Sequence, residues 1–204
     1  MNSEDTHKKE ILRSFFRQKR DEMTNVRWTQ NCVGIHSIIV DQEWYKSAQS
    51  IHCYVSMNHC KEVDTHSLIE GILASNKRLV VPIMVDKASL QHSVLSDWNQ
   101  LTSNEWGVME PKTLHLISPE SMDVVLVPML AMDVYGNRLG YGAGYYDSFL
   151  KDLPRSTCKI GLVFHDFVVH KLPANSWDIP LDGYVTERGF FRCNQYHEFS
   201  YTES

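Results

Sequence analysis

Apolar residues first recur at helical spacing. Ile11, Leu12, Phe15 and Phe16 stand at i, i+1, i+4 and i+5, which predicts a long helix over 6–29 with one apolar stripe. Ile35, Ile38, Ile39 and Trp44 predict a second helical stretch reaching about residue 48. The pattern then changes to short apolar runs separated by helical spacing. Residues 50–55 read as a strand, and Asp64 or Thr65 caps a helix whose apolar face is Leu68, Ile69, Ile72 and Leu73. Residues 78–84 are the next strand, and 90–95 another with one exposed side. The run 123–128 is apolar at every position after Asp123, as expected of a strand covered on both faces. A glycine-rich loop and a helix to about Leu150 follow, and strands over 159–164 and 183–186 close the series. This alternation predicts an α/β fold with a mostly parallel sheet and helices on both faces, opened by a long N-terminal helix.

Composition narrows the picture. The chain has 204 residues and 43% apolar content, enough for one domain with a sizeable core. There is no internal repeat or low-complexity tract, so residues 1–204 are read as one domain, with a polar, frayed C-terminal stretch. The net charge of −5 argues against a polycation built for nucleic acid. The five cysteines are odd in number, scattered and without a CxxC pair, which suits free thiols in a reducing cytosol. His52-Cys53 and His59-Cys60 could hold zinc, but their spacing matches no standard finger, and a strand with its following loop explains them equally well. No apolar run approaches a bilayer span and the first ten residues are polar, so a soluble, cytoplasmic protein with no membrane partner is expected. With no heptad and no exposed apolar stripe, a monomer is expected.

Open α/β sheets bind ligands beyond the carboxyl ends of their strands, so the loop leaving 123–128 is a natural place for a site. It carries Gly136, Gly140, Gly142 and Gly144, with Arg138 among them. Glycines let the backbone take positive φ and turn successive N–H groups toward an anion. A helix starting near Gly142 would add its positive end. The loop is not a Walker A sequence, since no Gly-Lys-Ser/Thr follows, and it is not the dinucleotide fingerprint, since the third glycine falls one residue early. Asp147, in the first turn, could hold Mg²⁺ against bound phosphates or simply complement the helix dipole.

Lys9, Arg13, Arg17 and Arg20 are spaced 4, 4 and 3 and line one helical face. Three readings fit this stripe: a solvated face, a nucleic-acid contact, or a clamp bringing cations onto phosphates held by the glycine loop.

The segment 137–150, Asn-Arg-Leu-Gly-Tyr-Gly-Ala-Gly-Tyr-Tyr-Asp-Ser-Phe-Leu, resembles the hallmark of the 5-formyltetrahydrofolate cyclo-ligase (methenyltetrahydrofolate synthetase) family. Other pieces appear in the family's order: Lys9-Glu-Ile-Leu-Arg13, Tyr54-Val-Ser-Met57 with Glu62-Val63 and Thr65, and Trp106-Gly-Val-Met-Glu-Pro111. Val127-Pro128 and Asp133 precede the hallmark; Leu172-Pro173, Asp178 and Val185-Thr186-Glu187 follow it. The resemblance spans residues 8–188, leaving 189–204 as an extension.

The resemblance implies a three-layer α/β/α sandwich. It also implies use of ATP and Mg²⁺ to close 5-formyltetrahydrofolate, a reduced folate, into 5,10-methenyltetrahydrofolate with release of ADP and phosphate. Lys9, Arg138 and Tyr146 are then the catalytic candidates. Lys9, Arg13, Arg138, Gly140, Gly142, Ala143, Gly144, Tyr145 and Tyr146 would bind ATP, and Asp147 with Asp178 would bind the metal. Val55, Met57, Glu62, Trp106, Tyr141 and Tyr145 would contact the folate. Three positions depart from the family pattern: Ile83 where many relatives have Arg, Phe167 where Gln is common, and Trp177 where His is frequent. They leave open a paralogue acting on another N-formyl compound. A non-catalytic module using the basic helix is the alternative of a different class.

Overall fold

The computed structural model describes residues 3–86, 89–104 and 107–193. The elements run α1 (Ser3–Asp21), α2 (Asn25–Asp41), α3 (Glu43–Ser47), β1 (Ser50–Cys53), α4 (His66–Leu73), β2 (Arg78–Asp86) and β3 (Ser89–Leu95). The second half adds β4 (Leu101–Ser103), β5 (Met109–Pro111), β6 (Val124–Pro128), β7 (Ala131–Asp133), β8 (Arg138–Leu139), α5 (Tyr145–Lys151), β9 (Cys158–Leu162), β10 (Val168–Val169), β11 (Gly183–Thr186) and β12 (Gly189–Arg192).

A seven-stranded sheet in the order β12-β11-β9-β6-β1-β2-β3 forms the middle layer. Strands β11, β9, β6, β1 and β2 run parallel, and β12 and β3 close the edges antiparallel. The continuous apolar run of β6 is central, with Val125, Leu126 and Val127 fully buried. The β1–α4–β2 and β6–α5–β9 crossovers step in opposite directions along the sheet. Right-handed crossovers in opposite directions put α4 and α5 on opposite faces, which makes the three layers. The order reverses between β1 and β6, and there a crevice opens at the strand ends.

The expected helix over 6–29 is two helices. Thr24 ends the first by capping the second: its Oγ1 accepts from the Arg27 N–H at 3.2 Å. Lys61 Nζ closes the other side of the break, donating to the carbonyls of Asp21 and Met23 at 2.7 and 2.6 Å. The stretch expected to reach residue 48 likewise breaks, at Gln42, where ψ is 140°. The helix expected from Gly142 starts at Tyr145, because Gly142 and Gly144 take φ of 106° and 77°.

The stripe on α1 is also divided. Leu12 and Phe16 face the core, whereas Ile11 and Phe15 are each 56% exposed. The inward face is completed by Lys9, Arg13 and Arg20, since this helix covers a polar crevice as well as the core. Residues 189–192, expected in the extension, form the edge strand β12 instead. The remainder of the frayed stretch, from 194, lies outside the described residues. Among the described residues no helix is long and apolar enough to cross a membrane.

A short side sheet, β10-β7-β8, carries the turn that leads into the glycine loop. Asp133, fully buried, accepts from the N–H groups of Tyr135, Asn137 and Leu172 and from the Asn137 amide. Gly136 in this turn has φ of 95°, and a Cβ there would lie 2.7 Å from the Leu181 carbonyl oxygen. Gly136→Ala should therefore lower stability by about 3 kcal/mol, since strained φ and a backbone clash add. The urea midpoint checks this, and an unchanged midpoint would contradict it.

Candidate active site

At the point where strand order reverses lies a cleft of about 420 Å³. Its walls come from several distant parts of the chain. The chain leaving β1 supplies Tyr54, Val55 and Met57, then Glu62; the end of β6 supplies Pro128. Residues 138–147 of the glycine loop cross the mouth, and α1 lays Lys9 and Arg13 over the same opening. The loop 175–178 closes the rim. Every residue expected at the site lines this one cleft except Trp106, which lies outside the described residues.

One end is built for negative charge. The Arg138 side chain is 5% exposed; its Nη1 donates to the Ile179 carbonyl at 2.6 Å, and its Nη2 donates to Asp147. Burial pulls the Arg138 pKa down, while Asp147 and Asp178 push it back up. Lys9 Nζ pairs with Asp178 at 2.5 Å, and both groups are nearly buried. Arg13 Nε donates to the Gly140 carbonyl at 3.1 Å, and a Cβ on Gly142 would meet its guanidinium at 3.4 Å. Arg17, half-exposed, reaches the Tyr141 carbonyl at 3.1 Å. The stripe on α1 is thus turned toward the glycine loop, not toward solvent. The clamp reading fits this geometry.

Asp147 and Asp178 both belong to this end, each neutralised by one cation. Among the described residues there is no cluster of three or more His, Cys, Asp or Glu that could cage a metal. Mg²⁺ needs no such cage: it takes one or two carboxylates and completes its shell with phosphate oxygens and water. The donor set fits that mode.

The other end is mostly apolar, with one buried acid. Glu62 is 4% exposed, and burial pushes its carboxyl above the usual range. Its Oε2 accepts from the Met57 N–H at 2.7 Å, and the Tyr141 hydroxyl faces it. Val55, Met57, Pro82, Met84 and Leu90 supply apolar wall. Between the two ends stands Tyr146, whose hydroxyl is buried with no hydrogen-bond partner among the described residues. Burial raises its pKa well above that of a free phenol, so it stays a proton-bearing donor.

Comparison with known proteins gives this arrangement a family. The model of the 5-formyltetrahydrofolate cyclo-ligase family matches residues 5–187. The chain belongs to that family. The mitochondrial 5-formyltetrahydrofolate cyclo-ligase of Arabidopsis thaliana is 29% identical over 88% of this chain and 78% of its own length. The enzyme of the same name from Escherichia coli K12 is 33% identical over 61% of this chain and 71% of its own. The solved structure of Aquifex aeolicus 5,10-methenyltetrahydrofolate synthetase superposes with a TM-score of 0.78 at 28% identity, covering 94% of this chain and 98% of that one.

Against the cyclo-ligase pattern, the three departures have different meanings. Ile83 is buried, and it alternates with Pro82 and Met84, which line the cleft, so it points to the opposite face of β2. Phe167 is in the core, 1% exposed, packed on Phe16 and Phe164 and capped by Lys19 and Arg20. Only Trp177 stands at the cleft, 52% exposed on its rim. Two of the three therefore leave the walls of the cyclo-ligase cleft untouched.

Sequence reasoning missed several lining residues. Pro82, Met84 and Leu90 enter because β2 and β3 form an antiparallel hairpin beside β1. The Glu110 carboxylate ties β5 to this hairpin by accepting from the Met84 N–H at 2.8 Å. The available signal was the one-sided exposure expected for 90–95. Arg20, 2% exposed, shares the spacing of the stripe, but its depth sets it apart from Arg13 and Arg17.

Proposed function

We propose that this protein uses ATP, with Mg²⁺, to close 5-formyltetrahydrofolate into 5,10-methenyltetrahydrofolate, releasing ADP and phosphate. The observation that carries the reading is the meeting of Lys9, Arg13 and Arg138 with the glycine loop at one end of a cleft whose other end holds the buried Glu62. These residues span most of the chain, and only the fold brings them together.

A formyl oxygen is a poor leaving group, so it must first take the γ-phosphoryl group of ATP. The folate N10 then attacks the activated carbon, gives up its proton to solvent, and the C–O bond breaks as phosphate departs. Phosphoryl transfer of this kind asks mainly for alignment and charge neutralisation. Arg138 and Lys9 supply fixed positive charge, and because Asp147 and Asp178 hold both, little reorganises when the nucleotide arrives. Arg13 secures the loop Gly140–Gly144 through the Gly140 carbonyl, and the loop's backbone N–H groups would cradle the phosphates. Mg²⁺ bound by Asp147 and Asp178 would offset the phosphate charge. Tyr146 donates its unpartnered hydroxyl to the oxygen that gains charge, and Tyr145 borders it. Glu62 accepts hydrogen bonds from the polar edge of the pterin, and Met57 and Val55 pack its face. The five cysteines are free thiols, which suits a reducing cytoplasm.

The test mixes purified protein, ATP, Mg²⁺ and 5-formyltetrahydrofolate and follows the absorbance of the methenyl product. Product should form, stop on chelation of the metal, and resume when Mg²⁺ is restored. Nucleotide binding without product would sink the substrate assignment, and turnover indifferent to chelation would sink the metal.

A further inference from the structure

Arg20 is the most deeply buried cation of α1 and touches none of the phosphate end. Its Nη2 donates to the carbonyls of Met129 and Leu130 at 2.6 and 3.3 Å, and its face lies 5.6 Å from the Phe167 ring. Its Nη1 donates to the Tyr141 hydroxyl at 2.9 Å. That hydroxyl faces Glu62 across the same cleft, and with its oxygen accepting from Arg20 its proton is left to favour the charged carboxylate. A guanidinium, a phenol and a carboxylate thus form one chain, running from the last turn of α1 through the glycine loop to the apolar end of the cleft.

We infer that Arg20 is a positioning residue which acts through the Tyr141 hydroxyl to keep the Glu62 carboxylate aimed at the substrate. The inference rests on the reading of Glu62 given above. A buried carboxylate tends to take a proton, which would turn half of its acceptor capacity into a donor. The Met57 N–H and the Tyr141 hydroxyl oppose this, and the Arg20 charge adds to them. The other titratable groups facing Glu62 are His59 and Cys60 on the turn before it, Tyr54 just after β1 and Tyr146 on α5. Of these, only His59 favours the charged carboxylate, so the relay is its main side-chain support. The same chain makes α1 answer to both ends of the cleft, with Lys9 and Arg13 at the phosphates and Arg20 behind the folate.

Tyr141→Phe removes the shared hydroxyl and keeps the ring. The variant should raise KM for 5-formyltetrahydrofolate about tenfold, with kcat and KM for ATP within twofold of the parent. Losing a donor that favours the charged form raises the Glu62 pKa, so the low-pH limb of kcat/KM for the folate should move up by about one pH unit. Arg20→Gln, which keeps a donor without the charge, should move it the same way by less. Carboxyl-labelled NMR of Glu62, assigned with Glu62→Gln, follows the same shift without any turnover. A Glu62 titration unchanged in Tyr141→Phe would overturn the relay, as would an equal rise in KM for both substrates. A shifted Glu62 in a protein that does not cyclise 5-formyltetrahydrofolate would uphold the relay and sink the function proposed for the cleft.

Discussion

Arg138→Gln is expected to lower kcat/KM for the cyclisation by about 10³-fold, in the range seen when one fixed electrostatic donor is removed from a site. The size follows from where the charge is held. The Arg138 side chain is almost wholly buried, so its field is weakly screened, and two carboxylates keep it ionised against the cost of burial. Its fork is also divided: Nη1 fixes the Ile179 carbonyl and so the loop that carries Asp178, while Nη2 holds Asp147. Glutamine removes the charge and the ionic partner that fixes the Asp147 carboxylate. Arg138→Lys restores charge without the planar fork, and should recover about a tenth of the loss or less. Steady-state kinetics at saturating folate, with thermal unfolding as a control for folding, checks both variants. Activity of Arg138→Gln within fivefold of the parent would remove Arg138 from the chemistry.

Lys9→Ala should raise KM for ATP by about 10- to 150-fold, the equivalent of a hydrogen bond to a charged group. Lys9 and Asp178 are paired at 2.5 Å, with side chains 10% and 11% exposed. Removing the ammonium subtracts one attraction for the phosphates and exposes one repulsion, so the effect exceeds that of a surface lysine. KM for the folate should stay near its parental value, because Lys9 belongs to the opposite end of the cleft from Glu62. A KM for ATP that does not move would return Lys9 to the role of a structural ion pair.

The strands were legible because burial leaves a local mark: β6 is apolar at successive positions since both its faces are covered, and α4 shows Leu68, Ile69 and Ile72 on one side. The glycine loop was legible for a related reason, since positive φ at Gly142 and Gly144 selects glycine whatever surrounds it. The order Gly-Tyr-Gly-Ala-Gly-Tyr-Tyr-Asp was long enough to carry the family as well. Helix ends were legible only where a cap spoke more strongly than periodicity. At Thr24 periodicity outweighed the cap: the apolar spacing around it ran on into α2 and hid the break.

What the sequence determined by itself was the succession of elements, the glycine loop and the residue types available to the site. Which cations serve that loop was decided by tertiary structure. Lys9, Arg13, Arg17 and Arg20 share one spacing, yet Arg17 is 44% exposed at its side chain, Lys9 meets Asp178, and Arg20 is buried behind Tyr141. Periodicity assigns residues to a helix face but not what that face covers, and α1 covers a crevice that exists only once β1 and β6 lie side by side. The meanings of Ile83, Phe167 and Trp177 were settled in the same way, because alternation in β2 and packing on Phe16 depend on partners far along the chain. Local patterns record burial, whereas a composite site records which distant segments the core has brought together.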